Sequence, residues 1–248
     1  MRVSFDSNAW EALFDPGDTA GAPIRLALAD GRVAGFICEA GFRIEAITKL
    51  QRPAYFAQPH MRVSTKFETP AESGVFRISM SIGPDDSKHP GLPTAQSAKL
   101  LRALEAGVKL MRGQNRMGLP RPAATLDKWL FVLESAEELL EREQRQIDAF
   151  GMLRARGVGQ AVFEAADGWT DRPRPAAEEK QLSRACAEWA DGESVKAPIA
   201  YRNDILCTND RAGKSGRSIF DAANRAWLTA HYGVAFMTLG ELIEAVTL

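Results

Sequence analysis

The sequence predicts an α/β protein whose central sheet is mostly parallel, elaborated by an inserted β-ribbon and long helices. Three observations lead there. Two segments near the ends of the chain read as short buried strands, 2–5 and 205–208, and each stops at a polar step containing aspartate, as strands of a parallel sheet do. Two alternating segments, 62–67 and 75–82, stand close together in the middle of the chain, which suits a ribbon. Beyond them, long stretches with apolar residues at helical spacing call for helices that pack through one face.

In chain order, the first strand ends at Asp6-Ser7-Asn8, and Ala9-Trp10-Glu11-Ala12-Leu13-Phe14 then has helical character. After the turn at Asp15-Pro16-Gly17-Asp18 the pattern gives a helix over 23–30, a strand over 33–38 and a helix over 42–50. The ribbon and a Gly-Pro-Asp-Asp-Ser-Lys-His-Pro-Gly loop precede two long helical patterns, 94–112 and 126–154. The second carries Glu134, Glu137, Glu138, Glu141 and Glu143 among its apolar positions, which marks a solvated face. A strand is expected at 158–164, then a Pro-containing linker, a helix over 176–190 and a further helix opening near Asp191. Residues 205–208 make a buried strand, Ser218 caps a helix through Tyr232, and Gly233 stops it. A strand over 234–237 follows, and Thr238 opens the last helix with Glu241 at the capping-box position. The expected division is a first core part, 1–56, an insertion or elaboration, 57–175, and a second core part, 176–248.

With 248 residues, 45% of them hydrophobic and 25% charged, the chain can bury a substantial core. Its 31 basic and 32 acidic residues leave a formal charge of −1, so a grip on nucleic acid must come from a local basic patch. Cys38, Cys186 and Cys207 are odd in number and lie in apolar stretches without C-x-x-C spacing, so a reduced, cytoplasmic compartment is expected. Arg2, Asp6 and Glu11 stand where a signal peptide needs apolar residues, and no run of about 18 apolar residues occurs, which argues against membrane or export. His60, His89 and His231 make no paired ligand pattern, and no serine sits in G-x-S-x-G, which disfavours zinc and serine hydrolases. Gly213-Lys214-Ser215 is similar to the end of a Walker A loop, but that motif needs glycine where Thr208 stands.

The residues that carry chemistry are acids at strand ends. Asp6 and Asp210 both close expected buried strands, and parallel strands of one sheet bring their carboxyl ends to one edge. Either residue could instead serve only to cap a turn. Hard divalent cations take oxygen ligands, so two such carboxylates brought together point to Mg²⁺ or Mn²⁺.

Phe5-Asp6-Ser7-Asn8 resembles the hydrophobic-Asp-x-Asn opening of the PIN-domain family. Ile205-Leu206-Cys207-Thr208-Asn209-Asp210 resembles its hydrophobic-x-Thr-x-Asp strand, in the family's order, with Tyr232-Gly233-Val234 and a final strand and helix behind. The resemblance covers 1–55 and 176–248. It implies a PIN-like three-layer fold and an Mg²⁺- or Mn²⁺-dependent, toxin-like endoribonuclease that hydrolyses phosphodiester bonds with a metal-activated water. It also implies a second acid in the helix after the second strand, which is Glu45 with Glu39 as the alternative, and a third before the Thr-x-Asp strand, which is Glu193 with Asp191 as the alternative. Pro198 departs from a regular helix there. On this resemblance Asp6, Glu45, Glu193 and Asp210 are metal ligands and catalytic residues, and Asn8 and Thr208 orient the ligands or contact phosphate. Arg211 and Lys214, in the Gly-containing loop past Asp210, would guide an RNA backbone, and Arg43, Lys49, Arg52, Arg202 and Arg217 stand near the same segments. The partners implied are RNA, an antitoxin protein and a second copy in a homodimer, with no membrane. Two other readings stay open: a non-catalytic binding or scaffold protein on a degenerate PIN fold, and another Mg²⁺-dependent phosphoryl hydrolase.

Overall fold

Residues 1–57, 61–68, 77–84, 89–113, 130–170, 172–210 and 218–247 are described by a computed structural model of the protein. The chain begins with β1 (Arg2–Phe5), α1 (Ser7–Leu13), α2 (Ala22–Ala29), β2 (Ala34–Cys38), α3 (Glu39–Glu45) and α4 (Arg52–Ala57). Its middle supplies β3 (Met61–Glu68), β4 (Arg77–Pro84), α5 (Thr94–Glu105), β5 (Lys109–Met111), α6 (Ala136–Ala155) and α7 (Gln160–Ala165). It closes with α8 (Ala176–Tyr201), β6 (Ile205–Cys207), α9 (Ala222–Tyr232), β7 (Ala235–Met237) and α10 (Leu239–Thr247).

Five strands form one sheet in the order β5-β2-β1-β6-β7, and every pairing between them is parallel. The pleat sends alternate residues to opposite faces. Val3, Phe5, Ile37, Leu110 and Ile205 pack on one face against Leu13, Ile24, Ala27, Ala103 and Leu242, from α1, α2, α5 and α10. On the other face Phe36, Cys38 and Met111 meet Ala197, Ala200 and Tyr201 of α8, and Leu206 packs with Val195, Ile199 and Leu228. The result is a three-layer α/β sandwich. Helices α6 and α7 lie in turn against α8, so its C-terminal half is buried on nearly all sides. The ribbon β3–β4 pairs antiparallel and stands apart from the sheet, with Thr65 opposite Met80.

Six expectations change. The helix expected over 126–154 begins only at Ala136, behind the Ser135 cap, and the helix expected from a Ser218 cap begins at Ala222 with Asp221 as its N-cap. The helix expected over 94–112 ends at Glu105, because Gly107 takes φ +88° and turns the chain into β5, which joins the sheet beside β2. The strand expected at 158–164 is instead α7: Gly157 and Gly159 both take positive φ, and Phe163 then turns inward against Trp189 on a helical face. The expected break near Asp191 is absent, since α8 runs unbroken from Ala176 to Tyr201. Pro198 is tolerated in its last turn, where it removes a single backbone donor, and the carbonyls of Pro198 and Ile199 receive Asn203 and Arg202 amides instead. The helix expected over 42–50 starts directly off β2 at Glu39 and ends at Glu45. No helix among the described residues is long and apolar enough to cross a membrane.

Candidate functional site

The strand order runs outward from β1 through β2 to β5, then returns to the other side of β1 with β6 and β7. The crevice at the carboxyl ends of β1 and β6 is therefore the point where the winding reverses, and open parallel sheets place ligands there. Asp6 follows β1 and Thr208 follows β6, and the register that pairs Phe5 with Cys207 sets the two residues side by side.

The two sequence motifs interlock at this point. The Asp6 amide donates to the Cys207 carbonyl at 2.9 Å, extending the ladder by one bond. The Thr208 hydroxyl donates to Asp6 Oδ2 at 2.8 Å, and Asn8 Nδ2 donates to the same oxygen at 3.1 Å. Thr208 Oγ1 in turn accepts from the Asp210 amide at 3.1 Å and from Asn8 Nδ2 at 3.3 Å. Asn8 Oδ1 accepts from the Asn209 amide at 2.8 Å, and Asn209 Oδ1 accepts from the Leu239 amide at 3.0 Å. A hydroxyl has one proton and two lone pairs, and all are used at Thr208. The spacing of each motif is thereby explained: Asp and Asn two residues apart clamp Thr and Asp two residues apart. Asp6 is only 6% exposed, whereas Asp210 lies exposed at the rim, its carbonyl accepting from Arg225.

A small cleft opens beside Asp6 over the strand ends, bounded by Trp10, Cys38, Gly41 and Met111, with Ser194 of α8 across from α3. Trp10 is 1% exposed, and its indole Nε1 has no hydrogen-bond partner among the described residues. A buried donor left unmet costs about 1–3 kcal/mol. Burial pushes the Cys38 thiol up to about 12, and the charges of Glu39 and Glu193 act in the same direction, so both acids lie within electrostatic reach of the cleft wall.

The other expected acids are placed differently. Glu193 is buried on α8, its Oε1 accepting from Lys196 Nζ at 2.6 Å and from Trp189 Nε1 at 3.2 Å. It is the next residue, Ser194, that lines the Asp6 cleft, while Glu193 borders a second small cavity between α6, α7 and α8. Asp191 lies within α8 and is not its N-cap. Glu39 opens α3 and is 1% exposed; it pairs with Arg43 at 2.5 Å and accepts from the Gly113 amide at 3.1 Å. Glu45 closes α3, and its side chain lies outside what is described, as do Arg211 and Lys214 altogether. Arg43 and Arg52 are buried, the latter donating to the Ile47 carbonyl, so neither sits on a surface track. Among the described residues, no three His, Cys, Asp or Glu side chains converge.

Two residues at the cleft, Trp10 and Ser194, and Glu188 elsewhere on α8 have no motif of their own. Trp10 follows Asp6 by one helical turn, a spacing visible in the chain, but an aromatic there reads as core. Ser194 emerges only when α8 is continuous. Glu188 accepts from the Ile219 and Gly159 amides at 2.7 and 3.3 Å, holding the segment that resumes at Ser218 against α8. Burial raises its pKa above the ordinary glutamate value. Comparison of the chain with protein-family models, curated proteins and solved structures found no match.

Proposed function

We propose that the protein is an Mg²⁺- or Mn²⁺-dependent endoribonuclease of the PIN-domain kind, centred on Asp6 and Asp210. The observation that carries this reading is the interlock of the Asp-x-Asn and Thr-x-Asp motifs at the winding reversal of a parallel sheet. The three-layer architecture suits it, because the resemblance that named these motifs implied the same layers. The donors fit a hard cation: Asp6 accepts from the neutral Thr208 and Asn8 groups, and Asp210 stands at the open rim. These two carboxylates would hold the cation, and Glu193 would join them only by leaving Lys196. When bound, such a cation activates water and offsets charge on the phosphate under attack. Thr208 orients the Asp6 carboxylate while fixing the backbone of Asp210, so one hydroxyl sets the spacing of the pair.

Incubation of the purified protein with single-stranded RNA and Mn²⁺ tests the reading. Cleavage is expected, with Asp6→Asn and Asp210→Asn each at least about 100-fold slower. No cleavage, or equal cleavage by the variants, would remove the proposal. One observation favours a second reading, a non-catalytic binding protein: Glu193 already has an internal cation in Lys196. Mn²⁺ titration separates the two, since a binding protein of that kind would retain no ion at Asp6.

A further inference from the structure

We propose that Arg225 is a positioning residue for the cation site: it fixes the backbone of Asp210, and so holds the Asp210 carboxylate for a divalent cation shared with Asp6. The inference rests on the reading above that these two acids hold a cation, and it deepens that reading from the ligands to what keeps the outer one in place. Asp6 has its carboxylate oriented directly, by the Thr208 hydroxyl and the Asn8 side-chain amide. Asp210 is different. Its carboxylate makes no hydrogen bond among the described residues and stands exposed at the rim, so its backbone is what sets where that group can reach. That backbone is gripped from both sides: the Asp210 amide donates to Thr208 Oγ1 at 3.1 Å, and the Asp210 carbonyl accepts from Arg225 Nη2.

Arg225 is itself built into place. It lies near the start of α9, whose cap Asp221 accepts from the Asn224 amide at 2.7 Å. Its Nε donates to the Phe220 carbonyl at 2.7 Å. The guanidinium carbon stands 5.6 Å from the centre of the Phe220 ring and 5.3 Å from that of Phe236 on β7, and Phe220 is 1% exposed. The cation therefore rests on a core side chain, and two N–H groups of one rigid plane reach two carbonyls, Phe220 and Asp210. This ties the chain just past β6 to the head of α9. A lysine in the same place would carry the charge but not the fork. Charge alone acts the other way, because a fixed positive group near a divalent cation repels it. Positioning and bare electrostatics thus predict opposite signs when Arg225 is removed. Contact with an RNA phosphate, the other use for a cation at this rim, predicts no loss of metal affinity.

Mn²⁺ titration of the full chain without RNA, followed by electron paramagnetic resonance, tests the proposal. The parent is compared with Arg225→Lys, which keeps the charge, and Arg225→Met, which keeps the stem, and each substitution is repeated on Asp210→Asn. Both are expected to weaken Mn²⁺ binding about tenfold in the parent, as loss of a group behind a metal ligand does. On Asp210→Asn they should change it by less than about twofold, because the effect passes through that carboxylate. Cleavage of RNA gives a second readout: the variants should be slow at low Mn²⁺ and regain at least about half of the parent rate at high Mn²⁺, with KM for RNA within about twofold. Unchanged or tighter Mn²⁺ binding by Arg225→Met overturns the proposal, and so does parent-like binding by Arg225→Lys, which would leave charge as the whole effect. Equal weakening on both backgrounds overturns it as well, since that is a fold defect and not a path through Asp210. A fall in RNA affinity with Mn²⁺ affinity intact would make Arg225 a phosphate contact instead. A parent that binds no Mn²⁺ is a different result and removes the cation reading on which the proposal stands.

Discussion

Thr208 is the residue through which the two ends of the chain act together, because its one hydroxyl meets Asp6, Asn8 and the Asp210 amide. Thr208→Val keeps the shape and removes these bonds. It should lower stability by about 1–3 kcal/mol in urea unfolding, and lower RNA cleavage by roughly 10- to 100-fold, as loss of a ligand-orienting group does. Glu188 gives a pH dependence of known sign. Its folded-state pKa is raised by burial, so its contribution to stability is full below the ordinary glutamate pKa and is lost as pH rises through the folded value. Glu188→Gln keeps an acceptor for the Ile219 and Gly159 amides without the charge. The variant should therefore gain stability relative to the parent as pH rises from 4.5 towards neutrality, measured by unfolding at both ends of that range. The three thiols are all buried, and burial raises each to about 12. A thiol reagent at pH 8 should label none of them until the protein unfolds.

Helix α8 decides which side chains reach the site. Gly192 lies where the helix crosses the loop at Gly159, and a Cβ at 192 would stand 3.0 Å from the Gly159 Cα. Gly192→Ala therefore sets a helix-propensity gain of about 1 kcal/mol against a backbone clash of about 1–3 kcal/mol. Thermal unfolding should show a net loss. The buried Glu193–Lys196 pair belongs to the same helix, and Lys196→Met would strand a buried carboxylate, at a cost of about 3–5 kcal/mol. This is also where sequence reading had least to work with. Asp191, Gly192 and Pro198 each carry a local signal for a helix boundary, and packing on both sides of α8 overrides all three. Without the continuous helix, Glu193 looks like the residue facing the strand ends, and Ser194 has no signal at all. The β5 strand was hidden for a different reason: three residues are too few to show alternation, and only Gly107 before them marks the change of direction.

At the scale of the whole molecule, the legible part was the framework of the sheet. The strands that end at Asp6 and Thr208, the ribbon and the final capped helix all follow from short patterns that local physics enforces, such as the Thr238–Glu241 capping box. The contacts that make the site were not legible, because they join residues about 200 positions apart, and register across a sheet is a tertiary property. What the sequence could offer was the pair of acids, and the fold brings their motifs together at the winding reversal. The central claim is that Asp6 and Asp210 share a divalent cation. Crystals soaked in Mn²⁺ and measured for anomalous scattering test it most directly. A peak within coordination distance of both carboxylates, lost in Asp6→Asn, is the result expected; an Mn²⁺ peak elsewhere, or none at Asp6, would contradict the claim.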